Sequence, residues 1–275
     1  MKELEDLYQL FAETGGPSAE SQRKLQALQE NCMARMDPDS FYVTVDVTKG
    51  FTYPWTHNME SALGQKVDNL DDLWQLVHPS WRAVHRVYSE ALLRLIVFQR
   101  NFPLNDEMVF STEIPFSVKG GGYRWFKQTT TAGAASATGG LISYHSQYYV
   151  LGNFTTLIPD FPLITLRGKP GRRVNQAFRF AVNKLFPRVL KQHFSPANQK
   201  IVSAYREQST WNGSSWEVPI KADMAAIIGM KPVALDRAIS RLLKTAREVF
   251  PEHTAGNIAN FINLMNTLFP KRVIE

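Results

Sequence analysis

The chain has 275 residues, and its single cysteine, Cys32, leaves no partner for an intramolecular disulfide or a cysteine-rich zinc module. No apolar run approaches the roughly 18 residues of a transmembrane helix, and the acidic, amphipathic N-terminus lacks the apolar segment of a secretory signal. We therefore expect a cytoplasmic protein with one large or two ordinary domains and no membrane partner.

The net charge of +6 is unevenly distributed. Residues 1–166 carry 13 Lys and Arg against 18 Asp and Glu, a balance of −5, whereas residues 167–275 carry 18 against 7, a balance of +11. Nine of those 18 cations lie between Arg167 and Lys200. A basic C-terminal part typically binds nucleic acid or an anionic membrane, and the asymmetry indicates two units with different partners.

Residues 1–36 predict an N-terminal helical segment of two helices, separated at Gly15-Gly16-Pro17, with Ser18 or Ser21 as the N-cap of the second. A short amphipathic helix cannot bury its own apolar stripe. The segment is therefore expected to pack on the following domain or on a second copy of itself, which makes it the candidate for a homodimer contact.

Residues 37–166 predict an α+β unit. A hairpin over 41–53 is followed by a short helix near Asn58, a helix capped by Asn69 that ends at His78-Pro79, and a long helix over 80–100. Three antiparallel strands are expected at 108–118, 123–131 and 141–151, with a long turn of small residues at 131–140 between the last two. A short strand at 163–166 precedes a turn-rich domain boundary at 168–171.

Beyond this boundary the pattern is helical. Residues 167–194 form a basic connector, in which we expect helices at 172–186 and 188–193 broken by Pro187. Ser195-Pro196 provides an N-cap and a first-turn proline for a helix to about Glu207. After a loop at 209–219, three helices are predicted at 221–229, 232–250 and 254–269.

Residues 221–246 predict a helix–turn–helix. Gly229 stands where the turn needs a residue that tolerates positive φ. In the second helix an apolar stripe should be buried: Leu235, Ile239, Leu242, Leu243 and Ala246. The opposite face carries the DNA-binding candidates, which are cations and small groups suited to phosphates and base edges in a major groove: Lys231, Val233, Asp236, Arg237, Ser240, Arg241 and Lys244.

These residues resemble the LuxR-type helix–turn–helix family. Residues 194–205 resemble its opening helix, 223–230 its scaffold helix, 233–244 its recognition helix and 254–268 its last helix. The resemblance implies an all-α domain over 195–275 that binds double-stranded DNA. Two departures are a longer loop at 209–220 and Lys231-Pro232 in place of the usual Ser or Thr cap of the recognition helix.

The order of elements from 41 to 154 resembles a PAS domain, carried by the hairpin 41–53, the helix 58–64, the segment 70–81 and the strands that end at 142–154. Residues 163–171 resemble the extra strand of some PAS–LuxR-type bacterial regulators. In PAS domains the long helix and the inner sheet face enclose a ligand pocket or pack solidly. The ligand-pocket candidates are Trp74, Tyr88, Leu92, Trp125 and Tyr144.

We expect no required cofactor and no metal. Haem would need His78 or His85, but His78 is expected to turn the chain and His85 to point away from the interior. A flavin adduct needs a reactive cysteine beside the cofactor, and Cys32 precedes the fold. The chain shows no phosphate loop, HExxH or GxSxG, which argues against an enzyme and leaves no catalytic candidate.

The sequence therefore predicts a bacterial transcription regulator in which a PAS-like domain senses a small-molecule ligand or a partner and a helix–turn–helix binds DNA. Two alternatives remain open. One is a PAS-like signalling scaffold whose helical C-terminus binds protein, which Lys231-Pro232 and Asp236 favour. The other is a haem-binding or small-molecule-binding protein with a helical appendage.

Overall fold

A computed structural model describes residues 16–34, 40–98, 108–136, 140–156, 159–212, 216–250 and 256–271. The chain divides into two compact units, residues 1–177 and 178–275. The first contains an antiparallel sheet with helices, and the described part of the second is mainly helical. The predicted α+β class is confirmed at this level.

The helices and strands of the first unit follow the predicted order. The helices are α1 (Ala19–Ala34), α2 (Met59–Leu63), α3 (Leu70–Leu76) and α4 (Pro79–Phe98). The strands are β1 (Ser40–Asp46), β2 (Thr52–His57), β3 (Met108–Ser117), β4 (Tyr123–Ala135), β5 (Leu141–Asn153), β6 (Leu163–Leu166) and β7 (Lys169–Pro170). Within the described residues they form one seven-stranded sheet in the order β2-β1-β5-β4-β3-β6-β7.

An aromatic cluster forms the core on one face of this sheet. Phe41 of β1 lies opposite Tyr148 of β5 and stacks on it, with ring centroids 4.4 Å apart. Phe116 and Phe126 meet Phe41 edge-on at 6.1 and 5.5 Å. All four side chains are at most 2% exposed. Because side chains alternate between the faces of a strand, the neighbours of these residues point to the other face.

Helix α1 lies against that other face. Thr44 of β1 pairs with His145 of β5. The His145 ring lies between the Thr44 hydroxyl, 3.3 Å from Nδ1, and the buried Cys32 thiol of α1, 3.5 Å from Nε2. Ser18 caps the helix by accepting from the Ser21 amide, as one of the two predicted options. The first predicted helix lies within residues 1–15, outside the described residues.

Strand β4 is longer than predicted. The small residues at 131–135 continue the strand, so the expected turn there is wrong. They are small because other groups approach closely: a Cβ on Gly133 would lie 2.8 Å from Ser143 Oγ. The main chain of Ala135 also accepts from the Ser18 amide at 3.2 Å. Small side chains thus serve close packing between strands and α1, which a composition-based turn signal does not distinguish from a loop.

The second unit is built from helices. Helix α5 (Arg172–His193) spans the division between the units, and α6 (Pro196–Gln208), α7 (Lys221–Ile228), α8 (Pro232–Val249) and α9 (Ile258–Leu268) follow. Thus residues 178–193 of the predicted connector belong to the second unit. Within the predicted loop, β8 (Thr210–Trp211) and β9 (Trp216–Glu217) form a hairpin, in which Trp211 and Trp216 pair with ring centroids 5.5 Å apart.

Helix α5 runs through Pro187, so the predicted break is wrong. A proline inside a helix removes one main-chain hydrogen bond and costs roughly 3 kcal/mol. Here the apolar face continues on both sides of it, with Phe186 and Val189 both buried, while Pro187 itself is exposed. Burying side chains of this size yields about 1.5–3 kcal/mol each, which is sufficient to keep the helix continuous.

A buried arginine joins three helices of the second unit. Arg206 of α6 is 7% exposed, and its guanidinium lies 3.8 Å from the ring centre of Phe186 in α5. Its Nε donates to Asn266 Oδ1 of α9 at 2.9 Å, and its Nη2 donates to the main-chain oxygen of Phe269 and, at 3.4 Å, to Asn183 Oδ1. Burial lowers the pKa of Arg206 to about 10. Among the described residues, the guanidinium thus donates to amide and main-chain oxygens.

Candidate functional site

The turn between α7 and α8 has the geometry that the sequence predicts. Gly229 ends α7 with φ of 75°. The Gly229 amide donates to the carbonyl of Ala226 and the Met230 amide to that of Ala225, at 3.2 and 2.9 Å. This pattern satisfies the last carbonyls of a helix and needs a residue that adopts a left-handed conformation.

Replacing Gly229 with alanine should destabilise this turn. A Cβ meets no atom within 4 Å there, so the cost comes from the left-handed backbone alone. We expect Gly229→Ala to lower the free energy of unfolding by about 1 kcal/mol, and Gly229→Asn by less, since asparagine adopts this conformation more readily. Urea denaturation measures both, and equal stability of wild type and Gly229→Ala would contradict the strain argument.

Helix α8 buries one side and exposes the other. The predicted apolar stripe is buried, at 0–7% exposure, in Leu235, Ile239, Leu242, Leu243 and Ala246. Met224, Ala225 and Ile228 of α7 are buried as expected. All seven DNA-binding candidates are exposed, and Val233 is the most apolar of them at 64%. The structure thus brings these residues together on one accessible surface, which we call the α8 face.

Helix α8 begins at Lys231-Pro232, as the sequence predicts. Lys231 occupies the N-cap position with an extended backbone and makes no side-chain cap, and Pro232 follows at the first helical position. The first amides of α8 therefore lack the hydroxyl acceptor that Ser or Thr would provide. They point toward the same end of the helix as Lys231, where a phosphate oxygen could accept from them.

Sequence reasoning missed one residue at this surface. Lys221, the first residue of α7, lies with its Nζ 2.6 Å from Asp236 Oδ1. Ser240 donates its hydroxyl proton to the main-chain oxygen of Asp236 at 2.9 Å. The pair with Lys221 joins residues 15 apart in the chain, and no helical spacing would have indicated it.

The first unit contains a small cavity between α4 and the inner sheet face, which is the face that carries the aromatic core. Its volume is about 30 Å³, which is room for one or two water molecules. It is lined by Ser89, Leu92, Leu93, Ile96, Met108, Phe110, Gln128, Thr130, Thr131, Ala132, Leu141 and Tyr144. Of the predicted pocket residues, Leu92 and Tyr144 line this cavity, and Trp74, Tyr88 and Trp125 do not.

The other three aromatic candidates are core residues elsewhere in the first unit. Trp125 packs edge-on against Trp81 at 5.3 Å and donates from Nε1 to the main-chain oxygen of Thr155. Tyr88 meets Phe161 edge-on at 5.4 Å, and Arg86 lies over the Trp74 ring at 5.0 Å. Each of these three side chains has an aromatic or cationic neighbour, and none of them lines the cavity described above.

The side chain of Gln128 lines the cavity, and its carbonyl oxygen accepts no hydrogen bond from the described residues. Gln128 is 8% exposed, and its Nε2 donates to Thr130 Oγ1 at 3.0 Å and Ser146 Oγ at 3.4 Å. Its Oε1 is buried and has no hydrogen-bond partner among the residues that the structure describes. A buried carbonyl without a donor costs about 1–3 kcal/mol. A ligand or water with an N–H or O–H in the cavity could supply that donor.

The two histidines considered for haem are both buried. His78 accepts from the Ser80 amide at 3.3 Å and stacks on Phe154, in keeping with its expected place at the chain turn. His85 is 5% exposed, so the expectation that it points away from the interior is wrong. It precedes Tyr88 by three residues and Leu92 by seven, and therefore shares their helix face. Burial lowers the pKa of His85 to about 3.

This burial predicts a pH dependence of stability. The folded pKa of His85, about 3, lies below its ordinary value of 6.5. The contribution is therefore fully present above pH 6.5 and is lost as pH falls toward 3, because only the unfolded chain takes up the proton. Between pH 6.5 and 5.5 we expect a loss of about 1 kcal/mol. His85→Gln should remove this part of the slope in denaturation measured across that range; an unchanged slope would contradict it.

Within the described residues no cluster of three or more His, Cys, Asp or Glu side chains could hold a metal ion. None of the helices in the described ranges is long and apolar enough to cross a membrane.

Comparison with known proteins leaves the family open. No protein-family model matches the chain, and no curated protein matches it. Among the solved structures that match, the crystal structure of a phage VqmA–DPO complex has a TM-score of 0.30 at 12% sequence identity, with 93% of this chain and 94% of that chain covered.

Proposed function

We propose that the protein is a transcription regulator whose α8 face binds double-stranded DNA. The observation that carries this proposal is the separation of the two sides of α8. Its apolar stripe is buried, while Lys231, Arg237, Arg241 and Lys244 are all exposed after a glycine turn from α7. A recognition helix needs this arrangement, because its cations must reach phosphates and base edges while its other side is held by the domain.

In this proposal the first unit is a PAS-like sensory domain. The order of two strands, three helices and three strands, with the long helix α4 beside the inner sheet face, supports it. The cavity of about 30 Å³ beside Gln128 is the candidate ligand site. The proposal assigns no catalytic residue, no required cofactor and no metal.

The proposed mechanism is a shift between populations of a homodimer. Half-site binding needs two recognition helices at a fixed spacing. A ligand or partner that favours one arrangement of the sensory domains would change the fraction of dimers with that spacing, by no more than its difference in affinity for the two states. Residues 1–36 are the candidate dimer contact.

Binding of a mixed-sequence duplex library at about 50 and 200 mM salt tests the proposal. For four phosphate contacts, affinity should fall about a hundredfold between these salt concentrations, because bound counterions are released on binding. Absence of binding, or affinity independent of salt, would refute the DNA role. Capture of a protein by the same helices would then favour the signalling scaffold, and an absorbance spectrum of the purified protein tests the haem reading.

A further inference from the structure

The α8 face carries one carboxylate among its cations. Asp236 lies in the second turn of α8, on the same face as Arg237 and Ser240, and its side chain is 54% exposed. A lone carboxylate here would be repelled by DNA phosphates. Lys221 Nζ, at 2.6 Å from Asp236 Oδ1, offsets that repulsion, and its own side chain is 58% exposed.

Asp236 can accept a hydrogen bond from a base, which the cations of this face cannot do. Lysine and arginine side chains only donate hydrogen bonds, so the four cations of the face suit phosphate oxygens and the acceptor edge of guanine. An exocyclic amino group on a base needs an acceptor. Ser240 already donates its proton to the Asp236 main chain and retains only a hydroxyl oxygen for this purpose. The Asp236 carboxylate is the strongest acceptor on the face.

We propose that Asp236 reads a cytosine, by accepting from its N4 amino group in the major groove, and that Lys221 is the positioning residue that makes this contact favourable. The proposal rests on DNA binding by the α8 face. Lys221 contacts Oδ1, so it orients the carboxylate and neutralises its charge while the side chain remains accessible. Adenine is disfavoured, because the N7 acceptor beside its amino group repels a carboxylate.

Selection of preferred duplexes by the full-length protein tests the contact. The wild type should prefer C·G at one position by roughly tenfold. Asp236→Ala should lose that preference and keep the others, and Asp236→Asn should shift it toward A·T, since asparagine pairs with adenine. Unchanged preferences in Asp236→Ala would overturn the proposal, as would wild-type binding without any preference. No wild-type binding at all would refute the proposed function itself, and the cytosine contact with it.

The role of Lys221 is tested by a double-mutant cycle on the selected duplex. Lys221→Ala should weaken binding about tenfold in the wild-type background and about threefold or less in the Asp236→Ala background, where no carboxylate needs neutralising. Equal effects in both backgrounds would overturn the positioning role. The exposed pair Lys66 and Asp68, whose atoms lie 2.7 Å apart in the first unit, is the matched control and should show no effect. Thermal unfolding verifies that every variant is folded.

Discussion

Replacing Arg206 with alanine should lower the free energy of unfolding by about 2–4 kcal/mol. The change leaves Asn266 Oδ1 and the Phe269 carbonyl without their donor, and it removes the stacking partner of Phe186. A buried acceptor that loses its donor costs about 1–3 kcal/mol, and the space left by the guanidinium adds to that. Urea denaturation of the full chain, followed by far-UV circular dichroism, measures the loss.

Two further variants separate the hydrogen bonds from the packing. Arg206→Met fills most of the space and avoids burying a charge, so it should lose about half as much stability as Arg206→Ala. Arg247→Ala removes an exposed arginine of α8 and should change stability by less than about 0.5 kcal/mol. If Arg206→Ala behaves like Arg247→Ala, the cluster does not hold the three helices together.

The helix–turn–helix was predictable from the sequence because its signals are local. Gly229, Pro232 and an apolar stripe at helical spacing all lie within the 26 residues 221–246. Together they indicate the end of one helix, a turn and the start of the next helix. The burial of Leu235 and Leu242 and the positive φ of Gly229 follow directly. The strands and helices of the first unit were predictable for the same reason.

The errors arose where tertiary contacts outweigh a local preference. Pro187 does not end α5, because the buried face continues past it. The residues at 131–135 remain in a strand because α1 and β5 approach them closely. His85 differs from these two, because its burial follows from local helical spacing: it shares a helix face with the buried Tyr88 and Leu92.

Two residues that the sequence did not single out, Arg206 in the fold and Lys221 at the α8 face, depend on contacts between distant segments. Arg206 meets Asn266 across 60 residues, and Lys221 meets Asp236 across 15. Neither pair follows the repeat of a helix or a strand along the chain. The division of aromatic residues between cavity wall and core is likewise set by packing, which placed Tyr144 at the cavity and Trp125 against Trp81.

The paired substitution Arg237→Ala and Arg241→Ala should reduce affinity for the preferred duplex by about 2–6 kcal/mol, or roughly 30-fold to more than 10,000-fold. Each arginine that contacts a guanine edge contributes about 1–3 kcal/mol. Both side chains are exposed and lie opposite the buried stripe, so the fold should be unchanged. Fluorescence anisotropy with a labelled duplex, at one fixed salt concentration, measures the loss.

The single variants then assign each arginine a role. An arginine that reads a base should relax the preference at one position, whereas one that contacts phosphate should weaken binding to all sequences and reduce the salt slope by about one. Arg124→Ala with Lys127→Ala removes two exposed cations of β4 and is the matched control for charge. If that control weakens binding as much as the α8 pair, net charge explains the affinity and the α8 face does not. A large loss confined to the α8 pair would instead mean that position on the helix determines binding.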